Sequence, residues 1–541
     1  MPCLARHPYR AFSRFHALSQ AQLVFAELKP ANQSRCSIGL LGRWLTSLSF
    51  LACVLTISQR AFAVENADLV AKSQRAMQAM STGRFEEAAT LYADLVRASP
   101  GNPGWRMNLG LALHSAGHFR EAIQQFQAVI KQEPRNGSAW MMLGVAHLKS
   151  SEPRQAIEPL RRSVKLDAKS TVARLELADA LLSTAHPAEA AEQFRFLTEA
   201  DPHNPKAWQG LGLSYAALSR SAFAELERTA PTSAYCYALA ARSFASRSEL
   251  HTAFNLYKQA VAISPNLLGV HAGLSEIYEK TGHKDWAAVE QERESRTSHP
   301  DCSTQDIECE FLAAHYLQAV RILRGKYDPE SAYWRSRSYQ ELSLDAFSRL
   351  SRMPESPAIH ELMAEAYRIQ GQYESSLNEW QEALSLAPQD RRLTQGLAQT
   401  LWLNHEYQKA QPLLKELVQE QPRSAELNFQ LGDTILRIGN PEEAIPLLQQ
   451  AVKVAPQYKA AHESLGTAYT RIGRTVKAIP QFLAALGLDD EGTVEYHLAQ
   501  AYKKMGRTSL AEEYMEKFEA ASKAARARRP QNIEDYPITP P

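Results

Sequence analysis

Cys302 and Cys309, with His299 and His315 on either side, come nearest in this chain to residues whose types and spacing could do chemistry. In an oxidising compartment the two thiols can close a short disulfide loop. Free or buried thiols are a second reading. A metal centre is a third, and the spacing disfavours it, because zinc sites pair their cysteines roughly two to four residues apart. His114 and His118 stand at i and i+4 in "HSAGH", but Ala116 and Gly117 between them mark a turn, so the pair reads as exposed loop residues. No nucleophile elbow, phosphate loop, paired carboxylate or metal cluster is found in usable context. Glu442-Glu443 and Glu512-Glu513 open helices, where acids suit the helix dipole. The expectation is a non-enzymatic chain without a cofactor.

What must position these residues is a repeat. Gly110, Ala122 and Pro134 return as Gly144, Ala156 and Ala168, each 34 residues on. Small residues fall where two helices must approach closely. Phe126 and Val129 follow Ala122 by four and seven residues, which is the spacing of one buried helical stripe. Pro134 then sits past the second helix, where it stops the helix at little cost. The phase persists through Ala88, Tyr92 and Pro100, through Ala190, Phe194 and Pro202, and through Ala253, Tyr257 and Pro265. It continues with Ala364, Trp380 and Pro388, with Gly432, Ala444 and Pro456, and with Gly466, Ala478 and Phe482. A period of this size signals a solenoid.

These positions resemble the tetratricopeptide repeat family, whose pattern is W-x2-LG-x2-Y followed by A, F, A and P at fixed offsets. The resemblance covers roughly residues 67–520. It implies an all-α fold, a right-handed superhelical α-solenoid of antiparallel helix pairs with a concave face. It also implies that positions 2, 5, 9, 12 and 13 of each first helix line that face. On the N-terminal arc these are Met107, Leu111, Met141, Val145, Leu148, Leu175 and Leu182, an apolar, methionine-bearing strip suited to an adaptable groove. On the C-terminal arc they are Gln395, Gln399, Trp402, Phe429, Asp433, Arg437, Thr467, Arg471, Tyr496 and Gln500, a mixture nearer to a polar peptide or glycan surface. The family's clamp for chaperone tails uses Lys at position 5 and Asn at position 9, and neither arc supplies that pair. The implied function is a scaffold that binds protein or peptide in its concave face. The alternative is an envelope or polysaccharide assembly scaffold associated with glycan.

Lys plus Arg number 60 and Asp plus Glu 59, so no basic excess argues for nucleic acid. The cluster Lys523, Arg526, Arg528 and Arg529 reads as a solvated helix end. Near the N-terminus, Arg43 precedes an apolar run from Trp44 to Ile57 and then Ala61-Phe62-Ala63. That order is the layout of a secretory signal peptide, and the run is short for a membrane span. Cleavage after Ala63 would start the mature chain at Val64, so the expected location is periplasmic or secreted. An uncleaved leader acting as a membrane anchor is the alternative.

The period breaks twice. Only 29 residues separate the repeat starts Pro205 and Ala234, so a short second helix is expected there. "SYAALSRSAFAEL" at 214–226 matches "SYQELSLDAFSRL" at 338–350 at an offset of 124 residues. The block centred on a truncated repeat is therefore duplicated. It is either an inert duplication or a pair of bends that widen the groove. The expected organisation is a leader over 1–63, a sub-array over 64–291, a degenerate linker over 292–330, a second sub-array over 331–520 and a disordered tail over 521–541.

Overall fold

The structure is a computed structural model and describes residues 68–297, 300–489, 491–527 and 537–541. The leader, Val64, His299, Arg528 and Arg529 lie outside the described residues. The chain is all-helical where described, with 26 helices, and it divides into two compact units between Leu197 and Thr198. The boundary expected at 292–330 therefore falls inside the second unit. Among the described residues no helix is long and apolar enough to cross a membrane.

The N-terminal unit is built from antiparallel pairs: α1 (68–81) with α2 (Phe85–Ala98), α3 (Pro103–Ser115) with α4 (Phe119–Gln132), α5 (Gly137–Lys149) with α6 (Pro153–Leu166), and α7 (Thr171–Ser183) with α8 (Pro187–Ala200). Each first helix from α3 on starts at a side-chain cap. Asn102 accepts from Gly104 N–H at 2.9 Å, Asn136 from Ala139 at 2.9 Å and Ser170 from Ala173 at 3.3 Å. The turn into each second helix needs one left-handed residue. Gly117 supplies it with φ 87°, while Ser151 and Ala185 adopt the same region against their Cβ atoms. Inside each pair the small residue of the first helix receives a large one of the second. A Cβ on Gly110 would lie 2.6 Å from Phe126 Cε1, and one on Gly144 would lie 2.5 Å from Leu160 Cγ. Packing this close is why those positions recur.

In seven of the first helices the position-4 side chain has a second duty. Its N–H group donates to the carbonyl six residues earlier, in the preceding turn. Arg106 bonds Pro100 at 3.0 Å, Trp140 bonds Pro134 at 2.9 Å and Arg174 bonds Ala168 at 2.9 Å. Trp208 on Pro202, His271 on Pro265, Asn428 on Pro422 and His462 on Pro456 repeat the bond in the second unit, all within 3.0 Å. Residues as different as Trp, Arg, His and Asn are interchangeable here because each brings a donor to an otherwise orphaned carbonyl.

The C-terminal unit departs from the repeat at its start. α9 (Pro205–Thr229) and α16 (Pro329–Ser351) are single continuous helices of 25 and 23 residues. The short second helix expected near 222–229 is instead the far end of α9. Both helices lack the residues that elsewhere form the inter-helix turn, so neither reverses. They pack against each other, and the duplicated blocks meet. Ser219 Oγ donates to Ser336 O at 2.8 Å, and the equivalent Ser343 Oγ donates to Gly212 O at 2.9 Å. Tyr215 stacks on its equivalent, Tyr339, with centroids 6.1 Å apart. The first half of α9 thus pairs with the second half of α16, and the reverse. This is two repeats with their second helices exchanged, neither an idle duplication nor a simple bend.

Between them run α10 (Ala234–Ala245), α11 (Leu250–Ile263), α12 (Val270–Lys280) and α13 (Lys284–Thr297), then the short α14 (Asp306–Leu312) and α15 (Tyr316–Ile322). One core joins α9 to α12 and α16, with Trp334, Tyr278, Tyr333 and Cys236 fully buried. Regular pairs then resume: α17 (Pro357–Ile369) with α18 (Tyr373–Leu386), α19 (Arg391–Leu403) with α20 (Tyr407–Glu420), α21 (Ala425–Ile438) with α22 (Pro441–Val454), α23 (Lys459–Arg471) with α24 (Thr475–Ala485), and α25 (Thr493–Lys504) with α26 (Thr508–Ala527).

Candidate functional site

Contacts that skip one element join first helices to first helices: α3 to α5, α5 to α7, α17 to α19, α19 to α21, α21 to α23 and α23 to α25. First helices therefore form one layer in each unit, and positions 5 and 9 lie on them. In the N-terminal unit Met107 and Leu111 on α3, Met141 and Val145 on α5, and Leu175 on α7 are all partly buried. Met107 and Leu111 pack with Trp140 and Met142 against the core formed by α4 and α5. The strip keeps part of its apolar surface in water, at a cost of roughly 25 cal/mol per Å².

The C-terminal arc differs from the expectation. Phe429 and Asp433 are buried, 5% and 3% exposed, and so are not open contact residues. Asp433 on α21 is a hub. It accepts from Trp402 Nε1 on α19 at 3.0 Å and from Ser464 Oγ on α23 at 2.9 Å, and Arg437 Nε lies 3.4 Å away. Phe429 packs its ring edge-to-face with Trp402 and against Tyr458, centroids 5.6 and 4.8 Å away. These side chains bind neighbouring first helices together, because a carboxylate buried at that depth must be paired. Arg437 and Arg471 are exposed, although Arg471 Nη1 is held by Leu436 O at 2.7 Å. Tyr496 is 40% exposed.

Cys302 and Cys309 form a disulfide ahead of and within α14. His315 bonds Glu310 at 3.0 Å. Among the described residues no group of His, Cys, Asp and Glu could hold a metal ion. The His114–His118 pair does not converge. His118 Nε2 bonds Glu86 at 2.8 Å, whereas His114 packs edge-on to Phe119. Burial first, and Lys149 second, push the His114 pKa down to about 4, so it is a partly buried, neutral residue and not an exposed one.

A recurring polar pair escaped the sequence reading. Position 4 of the first helix bonds the residue 19 places on, in the second helix. His360 meets Glu379 at 2.8 Å, His462 meets Gln481 at 2.7 Å and Arg174 meets Gln193 at 2.6 Å. His271 meets Glu290 in the same way, and Glu290 is 1% exposed. The signal was the 19-residue spacing between donor and acceptor types, invisible until the helices were paired.

Tetratricopeptide repeat models match residues 79–146, 175–230, 327–461 and 496–523. No curated protein matches the sequence. Among solved structures, MamA 41-end from Desulfovibrio magneticus RS-1 is similar at 21% identity, over 32% of this chain and 98% of that one, with TM-score 0.29. TTC0263, a thermophilic TPR protein in Thermus thermophilus, is similar at 24% identity, over 32% of this chain and 96% of that one, with TM-score 0.27. YrrB, a TPR protein with an unusual peptide-binding site, is similar at 20% identity, over 38% of this chain and 92% of that one, with TM-score 0.27. With the four matched segments on consecutive helix pairs of both units, the chain belongs to the tetratricopeptide repeat family.

Proposed function

We propose that this chain is a scaffold that binds a protein or peptide partner on the first-helix layer of its N-terminal unit. The observation that carries the reading is the partly exposed strip Met107, Leu111, Met141, Val145 and Leu175 on three successive, contacting first helices. Methionine side chains adapt their shape, which suits an apolar partner segment. The glycan reading weakens, since Phe429 and Asp433 are committed to internal packing.

The test is selection of peptides from a display library on the wild-type chain, followed by binding of the enriched peptides to a Met141→Glu, Val145→Lys double variant. The expected result is loss of binding with helical content and melting near wild type. Unfolding of the variant would make the strip part of the core. Retained binding would move the site to another face.

We also infer that the chain works outside the cytoplasm. The Arg43, apolar run and Ala61-Phe62-Ala63 series supports this, and the closed Cys302–Cys309 bridge agrees with an oxidising compartment. N-terminal sequencing from cell fractions tests it. A start near Val64 in the exported fraction is expected, and an intact leader on cytoplasmic protein would overturn it.

A further inference from the structure

Residues 537–541, Pro-Ile-Thr-Pro-Pro, were expected to form part of a disordered tail. They lie instead against the C-terminal unit. The Tyr278 hydroxyl on α12 donates to the carbonyl of Thr539 at 2.6 Å. Ile538 is partly buried and packs against the core that contains Tyr278, Phe254 and Tyr257. Pro537, Thr539 and Pro540 are exposed. The segment therefore offers the protein one β-branched side chain and one main-chain carbonyl, with Pro541 partly buried at its end.

We propose that this face is a docking groove for a short proline-rich segment of a partner protein, held shut in the resting chain by residues 537–541. This goes beyond the reading of the N-terminal strip and involves a different unit.

Three observations carry it. The first is the direction of the Tyr278 hydroxyl. Tyr469 occupies the equivalent position on α23, and its hydroxyl accepts from Gln449, 20 residues earlier. At that place before Tyr278 stands Lys258, and the Tyr278 hydroxyl goes to a carbonyl of the tail instead. Tyr278 is 0% exposed with the tail in place, and its hydroxyl is held by the bond to Thr539. Burial pushes its pKa up to about 12, which keeps the proton in place at neutral pH.

The second is the aromatic setting. Trp286 meets Tyr278 edge-on at 5.5 Å, His283 stacks on Trp286 at 4.0 Å, and Phe254 meets Tyr278 at 5.8 Å. Proline-rich chains dock in aromatic grooves that supply donors to their carbonyls, because such chains have no internal hydrogen bonds and lose little entropy on binding.

The third is the composition of the occupant. Three of five residues are proline, each with φ held near −65° and no N–H to satisfy. A chain of that kind recognises a face through carbonyls and side chains, which is what the contact with Tyr278 uses. A tethered occupant competes at high effective concentration, so a partner binds measurably once the tether's grip is loosened.

The experiment uses the full-length chain and a fluorescein-labelled peptide Asp-Tyr-Pro-Ile-Thr-Pro-Pro, the sequence of residues 535–541. Ile538→Asp should free the groove, and the variant should bind the peptide at least about tenfold more tightly than wild type. Adding Tyr278→Phe to that variant should weaken binding about three- to tenfold, the worth of one hydrogen bond. Peptide binding should also slow amide exchange in α12. Two results would overturn the proposal: a helical, cooperatively melting Ile538→Asp chain that fails to bind the peptide, or one that binds no better than wild type. The Met141→Glu, Val145→Lys chain carrying Ile538→Asp should still bind this peptide. Its failure to do so would also count against a separate groove, whereas failure of the groove alone leaves peptide selection by the N-terminal strip unchanged.

Discussion

Gly212 on α9 faces Phe347 on α16: a Cβ on the glycine would lie 2.8 Å from the phenyl Cζ. The contact is the one Gly110 makes with Phe126 inside a single repeat, now made between two elements far apart in the chain. It arises because α9 has no turn. Its second half cannot fold back on its first, so the buried stripe of each half is covered by the other long helix. Ser219 and Ser343 close the exchange with reciprocal hydrogen bonds.

Overpacking these glycines separates the two arrangements. Gly110→Leu and Gly212→Leu should each cost about 1–3 kcal/mol in urea unfolding. Hydrogen exchange should rise in α3, α4 and their neighbours for the first variant. For the second it should rise in α9 and α16 together, despite their separation in sequence. Loosening confined to α9 would contradict the exchanged pairing.

Asp433→Ala should destabilise the C-terminal unit by about 3–5 kcal/mol, because the buried donors of Trp402 and Ser464 lose their acceptor and Arg437 loses its counter-charge. Arg471→Ala, at an exposed side chain, should cost about 1 kcal/mol or less. Chemical denaturation of both variants checks this. Equal effects would return Asp433 to the surface.

The His271–Glu290 pair sets a pH window. The hydrogen bond to Glu290 raises the His271 pKa above its ordinary value of 6.5, against the opposing effect of burial. Burial pushes Glu290 up, but the His271 bond and charge, with Arg293 at 2.7 Å, outweigh it and leave the carboxyl lowered. Stability from His271 is therefore complete below the ordinary histidine value and is lost as pH rises through the raised folded value. Stability from Glu290 is present above the ordinary carboxylate range and is lost as pH falls through the lowered value. Melting temperature should fall as pH rises above the ordinary histidine value in wild type, and this component should vanish in His271→Gln.

Ala185 holds the left-handed turn between α7 and α8 at φ 63°. Ala185→Gly should raise stability by about 1 kcal/mol, since relief of the Cβ clash exceeds the extra freedom of the unfolded chain. Thermal unfolding of the variant checks the sign, and a lower melting temperature would show that the turn is unstrained.

The amino-acid sequence by itself determined the repeated helix pair. Gly110 and Ala122 recur 34 residues on as Gly144 and Ala156, Phe126 follows Ala122 by about one helical turn, and the contact each glycine needs lies in the next helix, so local spacing was enough. It also marked which positions belong to the first-helix layer. It could not say how deep they sit there. Position 9 reads the same for Val145, which keeps partial exposure, and for Asp433, which neighbouring helices close over. The duplicated serine-rich blocks were visible as sequence, but only the tertiary structure joined α9 to α16. A buried stripe specifies that a helix must be covered and leaves open which helix covers it, and once the turn is gone the nearest stripe in sequence is no longer the nearest in space. The bond from Tyr278 to Thr539 belongs to the same class, a contact between segments with no shared period, decided by which donor the folded core leaves facing outward.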